Sequence, residues 1–351
     1  QLLNADGTLF FYTESGPRTE LWKSDGTSAG TVPIDQNLMT YYDSELAAIG
    51  DTVFYNDAIE ESRTFLAKYE GDARVPIKEV VAHRLTPAGG KLFFAGVDPN
   101  QGKGVELWVS DGTESGTTML KDIHRGTHEE CSSGGSRSGG PRTKGRGGGN
   151  CEKVANDSEP LWLTDVAGAI FFTAYDGSGR YLWKSDGTGK GTKLVKEVEA
   201  GNLANVGGTV FFAGDDGVSG SELWKSDGTS SGTVLVADIT TGPAGSEIKN
   251  LRDVGGTLFF TADDGVHGLE LWKSDGTAEG TMMVKDIVPG DSSSAFKSFE
   301  HVNGMLYFSV DDGVHGYELW KSDGTETGTI LVKDVYVGTG DATPISLTNV
   351  N

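Results

Sequence analysis

Short apolar runs separated by Gly, Asp and Asn recur along the whole chain. Between residues 248 and 290 the sequence is IKNLRDVGG, TLFFTADDG, VHGLELWKSDG and TAEGTMMVKDIVPG, and each piece is a β-rich run that ends in turn residues. The pattern predicts four strands, at 251–254, 258–261, 269–274 and 281–287. Because Leu258, Phe259 and Phe260 would point to both faces of their strand, we expect a sheet that is covered on both sides.

Two strand signatures agree on seven such units. The tryptophan phrase is ELWKSDGT at 20–27, 222–229, 270–277 and 318–325, ELWVSDGT at 106–113 and YLWKSDGT at 181–188. The second unit lacks the phrase and has Ala67 in the tryptophan position. A four-stranded unit repeated radially predicts an all-β fold, a single seven-bladed β-propeller domain over residues 1–351. The aromatic second strand begins at Leu9, Val53, Leu92, Ile170, Val210, Leu258 and Leu306.

The repeated phrase is interpreted as structural. Alternation along a strand puts Glu270, Trp272 and Ser274 on one face, and we expect the tryptophan to lie between adjacent sheets. Ser-Asp-Gly-Thr is expected to close the hairpin, since Gly can adopt a positive φ and the side-chain oxygens can accept hydrogen bonds from backbone N–H groups. The alternative is that the exposed turns also form a repeated binding surface. The structural-repeat tryptophans are Trp22, Trp108, Trp183, Trp224, Trp272 and Trp320.

Composition and charge narrow the function classes. A net charge of -22 argues against a nucleic-acid partner, because neutralising phosphates requires clustered Lys and Arg. No apolar run approaches the roughly 18 to 20 residues of a membrane span, so no membrane insertion is expected in this segment. The chain starts at Gln1 without an initiator Met, and both ends align with a first strand. We therefore expect a segment of a longer protein.

Paired aspartates at the second turn are the candidate metal ligands. Asp-Asp-Gly occurs at the same corner of three consecutive units, and clustered oxygen ligands suit Ca²⁺. The alternative is an ordinary Asp-Gly hairpin turn. His267 and His315 follow and are interpreted as solvated turn residues. Every acidic or basic residue of interest has copies in other units, so no catalytic residue and no cofactor other than calcium is predicted. The calcium candidates are Asp215, Asp216, Asp263, Asp264, Asp311 and Asp312.

One insertion, at about 124–157 between the third and fourth units, interrupts the repeat. Residues 134–149 are GGSRSGGPRTKGRGGG, which predicts a flexible basic loop that could dock an acidic neighbour or a polyanionic glycan. A tolerated insertion without a partner is the alternative. Cys131 and Cys151 bracket the loop and predict a disulfide in a secreted protein, or two reduced thiols in an intracellular one. Asn156 begins an Asn-Asp-Ser sequon and is the predicted glycosylation site.

The chain resembles the secreted proteins built from ELWxxDGT repeats. Their unit runs from Gly-Gly-x-Leu-Phe-Phe through ELWxSDGTxxGT to Leu-Val-Lys-Asp-Ile, and here 255–260, 270–277, 280–281 and 284–287 match it. The resemblance covers almost the whole chain apart from the insertion, and the second unit departs from it. It implies a place in a large extracellular or cell-surface protein.

The favoured function is a non-enzymatic extracellular structural or interaction module, used for adhesion or protein–protein contact in a cell-surface layer, filament or appendage. The expected location is secreted or at the cell surface. The expected partners are other subunits or domains of that assembly. The alternative is a carbohydrate-binding, lectin-like propeller with repeated shallow sites for glycans. A glycoside hydrolase ranks third, because it would need a cluster of unrepeated acidic residues.

Overall fold

The computed structural model describes residues 2–15, 18–38, 45–60, 63–131, 151–345 and 347–348. Within these ranges every regular element is a β-strand and every strand pairing is antiparallel, which confirms the all-β prediction. The described part of the chain contains no helix long and apolar enough to cross a membrane. The chain divides into two compact units, residues 1–160 with 174–178 and residues 161–173 with 179–351. Whether they form one domain stays a prediction.

The first unit contains three four-stranded sheets, in which each strand pairs with the next one along the chain, and a separate hairpin. The sheets are repeats 1 to 3, and the hairpin is the insertion. The strands are β1 (Leu2–Ala5), β2 (Thr8–Ser15), β3 (Arg18–Ser24) and β4 (Val32–Leu38); β5 (Leu46–Ile49), β6 (Thr52–Glu60), β7 (Arg63–Glu70) and β8 (Ala73–Glu79); β9 (Val81–Ala88), β10 (Lys91–Val97), β11 (Glu106–Ser110) and β12 (Thr118–Lys121); and the hairpin strands β13 (Thr127–Cys131) and β14 (Cys151–Ala155).

The second unit contains one seven-stranded sheet and two four-stranded sheets. The large sheet holds repeats 4 and 5, and the smaller sheets are repeats 6 and 7. The strands are β15 (Leu161–Val166), β16 (Ala169–Tyr175), β17 (Arg180–Ser185), β18 (Lys193–Val206), β19 (Thr209–Asp215), β20 (Ser221–Ser226) and β21 (Val234–Ala237); β22 (Lys249–Val254), β23 (Thr257–Asp263), β24 (Leu269–Ser274) and β25 (Met282–Lys285); and β26 (Ala295–Val302), β27 (Met305–Asp311), β28 (Tyr317–Ser322) and β29 (Ile330–Lys333).

The seven-stranded sheet differs from the expected separate sheets, and β18 is the reason. Its first part pairs with β17 up to Glu199, and its second part pairs with β19 from Glu199 onward. The spacing from Trp183 to Trp224 is 41 residues, against 48 between the tryptophans of the next repeats. The seven missing residues are those of the connection between the two repeats. The last strand of repeat 4 therefore continues directly into the first strand of repeat 5.

The core lies between successive sheets. One buried cluster combines Phe211 and Leu223 of repeat 5 with Leu258, Phe260 and Ala262 of repeat 6. In the first unit β1 contacts β5 and β5 contacts β9, and in the second unit β15, β18, β22 and β26 contact one another in order. Within each unit the sheets therefore approach each other most closely along their first strands. The aromatic second strands of repeats 2 to 6 are buried on both faces, as their apolar runs predict, whereas Leu9 of repeat 1 is 38% exposed.

Candidate functional site

The tryptophans and turns of the repeated phrase are engaged in packing and in local hydrogen bonds. Trp272 is the strand partner of Phe260, and their ring centroids lie 6.5 Å apart. In the following turn, Oδ1 of Asp275 accepts hydrogen bonds from the Thr277 amide at 2.9 Å and hydroxyl at 2.7 Å. The same bonds lower the pKa of Asp275. The buried tryptophans are Trp108, Trp183, Trp224 and Trp320, and the half-buried ones are Trp22 and Trp272.

The glutamate of the phrase has a different role, which the sequence did not reveal. Glu270 is fully buried, and its carboxylate accepts hydrogen bonds from the amides of Ile287 at 2.9 Å and Val288 at 3.3 Å. It also accepts the hydroxyl of Ser294 at 2.7 Å. These donors belong to the connection between repeats 6 and 7. We call this arrangement the glutamate clamp, and it recurs at Glu106 with Ile123, His124 and Ser158, and at Glu222 with Ile239, Thr240 and Ser246.

The clamp glutamate accompanies the long connections. In repeat 4 the glutamate is replaced by Tyr181, and there the chain passes from β17 through β18 into repeat 5 without a loop. In repeat 2 it is replaced by Phe65, and β8 ends at Glu79 only two residues before β9 begins at Val81. Sheets therefore form without the glutamate, whereas Glu106, Glu222 and Glu270 each hold a connection. In repeat 1 the equivalent Glu20 accepts a hydrogen bond from the Trp22 indole instead. Burial raises the pKa of Glu106 and of Glu270 to about 7, although the hydrogen bonds oppose this shift.

The Asp-Asp-Gly turns use their carboxylates to hold the backbone. Asp263 accepts a hydrogen bond from the Gly265 amide at 2.7 Å. Oδ1 of Asp264 accepts hydrogen bonds from the Val266 amide at 2.9 Å and from the His267 amide at 2.8 Å. Oδ2 of Asp264 lies 2.8 Å from Nδ1 of His267, and this contact raises the pKa of the histidine. His315 and Asp312 repeat the arrangement. Within the described ranges no three His, Cys, Asp or Glu side chains are placed to hold a metal ion, and calcium stays a prediction.

The insertion contains the hairpin of β13 and β14. Its backbone register places Cys131 opposite Cys151, but the side chains of both lie outside the described residues, as does the basic segment at 132–150. The amide group of Asn156 donates from Nδ2 to the carbonyl of Arg125 at 3.1 Å, and its Oδ1 lies 3.0 Å from Nδ1 of His128. A glycan on Nδ2 would leave one N–H for the first of these bonds. The disulfide and the glycan stay predictions.

Repeat 2 lacks the tryptophan and contains an ion pair between Arg74 and Asp57 instead. In repeats 3 and 5 a glycine packs against the tryptophan, and a Cβ on Gly96 would lie 2.8 Å from Cδ1 of Trp108. The residue of repeat 2 that is equivalent to Gly96 is Asp57, which is 1% exposed. Its carboxylate accepts a hydrogen bond from Nε of Arg74 at 2.7 Å. Nη1 of Arg74 also lies 3.2 Å from Asp35. Burial raises the pKa of Asp57 despite the arginine. In repeat 2 the tryptophan and the glycine that packs against it are therefore both replaced, by Ala67 and Asp57, and Asp57 pairs with Arg74.

The first strands carry a repeated bulge whose side chain varies between repeats. Repeats 3 to 7 each have a register shift between the first and second strands, and one residue there has a positive φ of 50–57°. Left-handed non-Gly residues are uncommon, and bulges redirect side chains at edges and sites. The five residues can be located in the sequence by their position, because each lies five residues before the first residue of the following turn. The five residues are Arg84, Trp162, Asn202, Asn250 and Ser298.

Two cavities follow these first strands in the second unit. One of about 370 Å³ is lined by Asn202 together with the charged side chains of Arg180, Glu199, Asp215, Glu247 and Lys249. Nδ2 of Asn202 donates to the Ile248 carbonyl at 3.0 Å, which ties one first strand to the next. Another cavity of about 460 Å³ is lined by Asn205, Arg252, Glu300 and His301. Trp162 is 47% exposed, unlike the tryptophans of the repeated phrase. These polar groups and the indole of Trp162 form the candidate binding site.

Comparison with known proteins finds solved structures of similar fold. No family model matches the chain, and no curated protein matches it. One structure from a structural and mechanistic analysis of two prolyl endopeptidases is matched with a TM-score of 0.51 and 12% identity, over 94% of this chain and 49% of that one. A puromycin hydrolase is matched with a TM-score of 0.48 and 12% identity, over 95% of this chain and 54% of that one.

A puromycin-hydrolyzing peptidase of Mycobacterium tuberculosis is matched with a TM-score of 0.44 and 9% identity, over 95% of this chain and 52% of that one. The chain spans about half the length of these structures. At such identity the likeness establishes the fold. The match with a TM-score above 0.5 is to a prolyl endopeptidase, and this finding contradicts the predicted non-enzymatic adhesion module and the expectation that the chain has no enzymatic role.

Proposed function

We propose that this chain is the β-sheet part of a peptidase-like hydrolase and that its bulged first strands bind the peptide substrate. The observation that carries the proposal is the row of exposed and half-buried side chains at Trp162, Asn202, Asn250 and Ser298, held at a repeated left-handed position. Such strained positions cost about 1–3 kcal/mol and cluster at functional sites. The fold likeness to prolyl endopeptidases supports the choice of a peptide as the ligand.

The chemistry of the row suits an extended peptide. A peptide presents a carbonyl and an amide at every residue, and the Asn and Ser side chains can both donate and accept hydrogen bonds. The exposed indole of Trp162 offers an apolar surface for a peptide side chain. The charged residues of the neighbouring 370 Å³ cavity can select among peptides by charge. The reacting groups of the hydrolase would belong to another part of the protein.

The test uses Trp162 as a reporter. Acrylamide quenches an exposed indole selectively, so a bound peptide should protect Trp162 and leave the buried tryptophans unchanged. We expect a library of short unstructured peptides to reduce the quenching in the native chain, and we expect no such effect in Trp162→Phe. Asn202→Ala with Asn250→Ala should weaken the protection, while Val266→Ala, at an exposed turn, serves as the matched control.

Peptide hydrolysis completes the test. The natural polypeptide that carries this chain is assayed with quenched fluorescent peptides, and the double asparagine variant should lower kcat/KM. Absence of both cleavage and peptide binding would overturn the proposal. Cleavage that is insensitive to all four first-strand residues would refute the binding role alone.

The remaining sequence predictions join this proposal. We propose seven four-stranded blades of a β-propeller, in which β18 serves two blades, and a secreted location with a Cys131–Cys151 disulfide. The backbone register of β13 and β14 supports the disulfide. Mass spectrometry of the natural protein, with and without a reducing agent, tests the disulfide and a glycan on Asn156. Calcium titration followed by calorimetry tests the Asp-Asp-Gly turns, and electron microscopy counts the blades.

A further inference from the structure

We propose that the glutamate clamps are proton-dependent latches, which hold the connections between repeats more firmly when the carboxyl group carries a proton. The proposal is independent of the peptide-binding role. It rests on the burial of Glu106 and Glu270, on the donors that surround each carboxylate, and on the chemistry of the serine in each clamp.

The serine allows the buried carboxyl to change its protonation state. When Glu270 is ionised, Ser294 donates its hydroxyl hydrogen to the carboxylate over 2.7 Å. When Glu270 is protonated, the carboxyl can donate to the serine oxygen instead, because a hydroxyl both donates and accepts. In the clamp of Glu106, the hydroxyl of Ser158 also lies 3.2 Å from the Val105 carbonyl, which can receive its hydrogen after this exchange. In the clamp of Glu106, therefore, the serine hydroxyl has an acceptor in both protonation states.

Opening of the clamp determines the direction of the effect. In an open clamp the glutamate is solvated and has its ordinary pKa of 4.5, whereas burial raises the pKa of Glu270 to about 7 in the closed clamp. The closed clamp therefore binds the proton more tightly. By linkage, a fall in pH through 7 favours the closed clamp, and a rise in pH through 7 favours opening.

Other ionisable groups face each clamp. Asp286 faces Glu270 and raises its pKa, and Glu270 in turn raises the pKa of His267, whose partner is Asp264. Asp122 faces Glu106 and is paired with Lys103. Asp238 faces Glu222. The hydrogen bond to Asp264 raises the pKa of His267, so the experiment needs a variant that separates the effect of the histidine from that of the clamp.

Repeat 7 provides an internal comparison. Glu318 is buried and accepts the amides of Val335 and Tyr336, both at 3.2 Å. The position of the clamp serine, 24 residues after the glutamate, is Ala342 in this repeat. The connection that follows repeat 7 therefore lacks the serine hydroxyl of the other clamps.

The clamps also control contacts between sheets. The connection held by Glu222 reaches the turn of repeat 6, where Thr240 donates its hydroxyl to the Asp263 carbonyl at 2.6 Å. The Asp263 amide donates to the Ser246 carbonyl at 2.8 Å. Loosening of a clamp should therefore expose both the connection and the Asp-Asp-Gly turn of the following repeat.

Hydrogen exchange of the whole chain tests the proposal at pH 6 and pH 8, with intrinsic rates corrected. For a pKa that differs by 2.5 between open and closed states, linkage gives about tenfold lower protection at pH 8 than at pH 6. We expect this loss at 287–288 and at 123–124.

Two variants separate the clamp from His267. Glu270→Gln keeps the neutral, hydrogen-bonded state and should remove the pH dependence at 287–288, while His267→Gln should retain it. Ser294→Ala removes a hydrogen bond that stabilises the ionised carboxylate, so it should raise the pKa of Glu270 further and strengthen the pH dependence at 287–288. If Glu270→Gln does not fold, hydrogen exchange at 287–288 in Ser294→Ala tests the proposal. A pH dependence that is absent from the native chain, or unchanged in the clamp variants, would overturn the proposal.

Discussion

The Ser294 hydroxyl lies 2.7 Å from Oε1 of Glu270, and both side chains are buried between repeats 6 and 7. Removal of the hydroxyl in Ser294→Ala should leave the carboxylate with only its two amide donors. A lost hydrogen bond to a buried charged group costs about 1–3 kcal/mol, so the free energy of unfolding should fall by that amount. Urea denaturation measures it. Ser292→Ala, at an exposed position of the same connection, should be nearly neutral.

The stability of the protein should depend on pH through the clamp glutamates. The folded-state pKa of Glu270 is raised to about 7 from 4.5, so its contribution to stability is present below pH 4.5 and is lost as the pH rises through 7. The difference in unfolding free energy between the native chain and Glu270→Gln should therefore shift by about 2 kcal/mol from pH 5 to pH 8, against the native chain. A constant difference across this range would show that the buried carboxyl does not titrate.

The ion pair of repeat 2 should be essential to that sheet. Asp57→Asn leaves the guanidinium of Arg74 without its main anionic partner. Because Arg74 is 36% exposed, we expect a loss of about 2 kcal/mol, less than the 3–5 kcal/mol typical of a fully buried pair. Thermal unfolding measures the loss. Asp72→Asn, in the exposed pair with Lys23, should leave the midpoint nearly unchanged.

The bulge position should discriminate between side chains by their backbone preference. Asn250 has a φ of 57°, which glycine adopts without strain and a β-branched residue does not. Asn250→Val should therefore destabilise the chain by about 1–2 kcal/mol, while Asn250→Gly changes its stability little. Denaturation midpoints distinguish the two. The neighbouring Lys249→Val should be tolerated, and an equal loss in that variant would indicate a general effect of valine on this strand.

Local patterns predicted most of the fold. Runs such as Leu258-Phe259-Phe260 predicted the second strands, and those of repeats 2 to 6 are buried on both faces. The same patterns predicted separate four-stranded sheets, whereas β18 joins two of them. Hydrophobic periodicity identifies the strands of repeats 4 and 5, but it does not reveal that a shortened connection lets one strand pair on both sides.

The site was harder to predict, because a search for repeated letters favours structural residues. Glu270 belongs to the repeated phrase and was assigned with it to strand formation, although its hydrogen bonds extend to a connection 17 residues later. Trp162 and Asn202 share a backbone conformation and not a residue type, so the pattern did not associate them. Their common feature is a left-handed φ, which only coordinates reveal directly.

The continuity of β18 has a consequence for how the chain can be cleaved. A protease needs several residues of accessible, locally unfolded backbone, and longer connections such as the one between β25 and β26 offer them. At Glu199 the backbone is paired with strands on both sides, so no cutting site is available between repeats 4 and 5. Under mild digestion these two repeats should persist together as one fragment after their neighbours have been released.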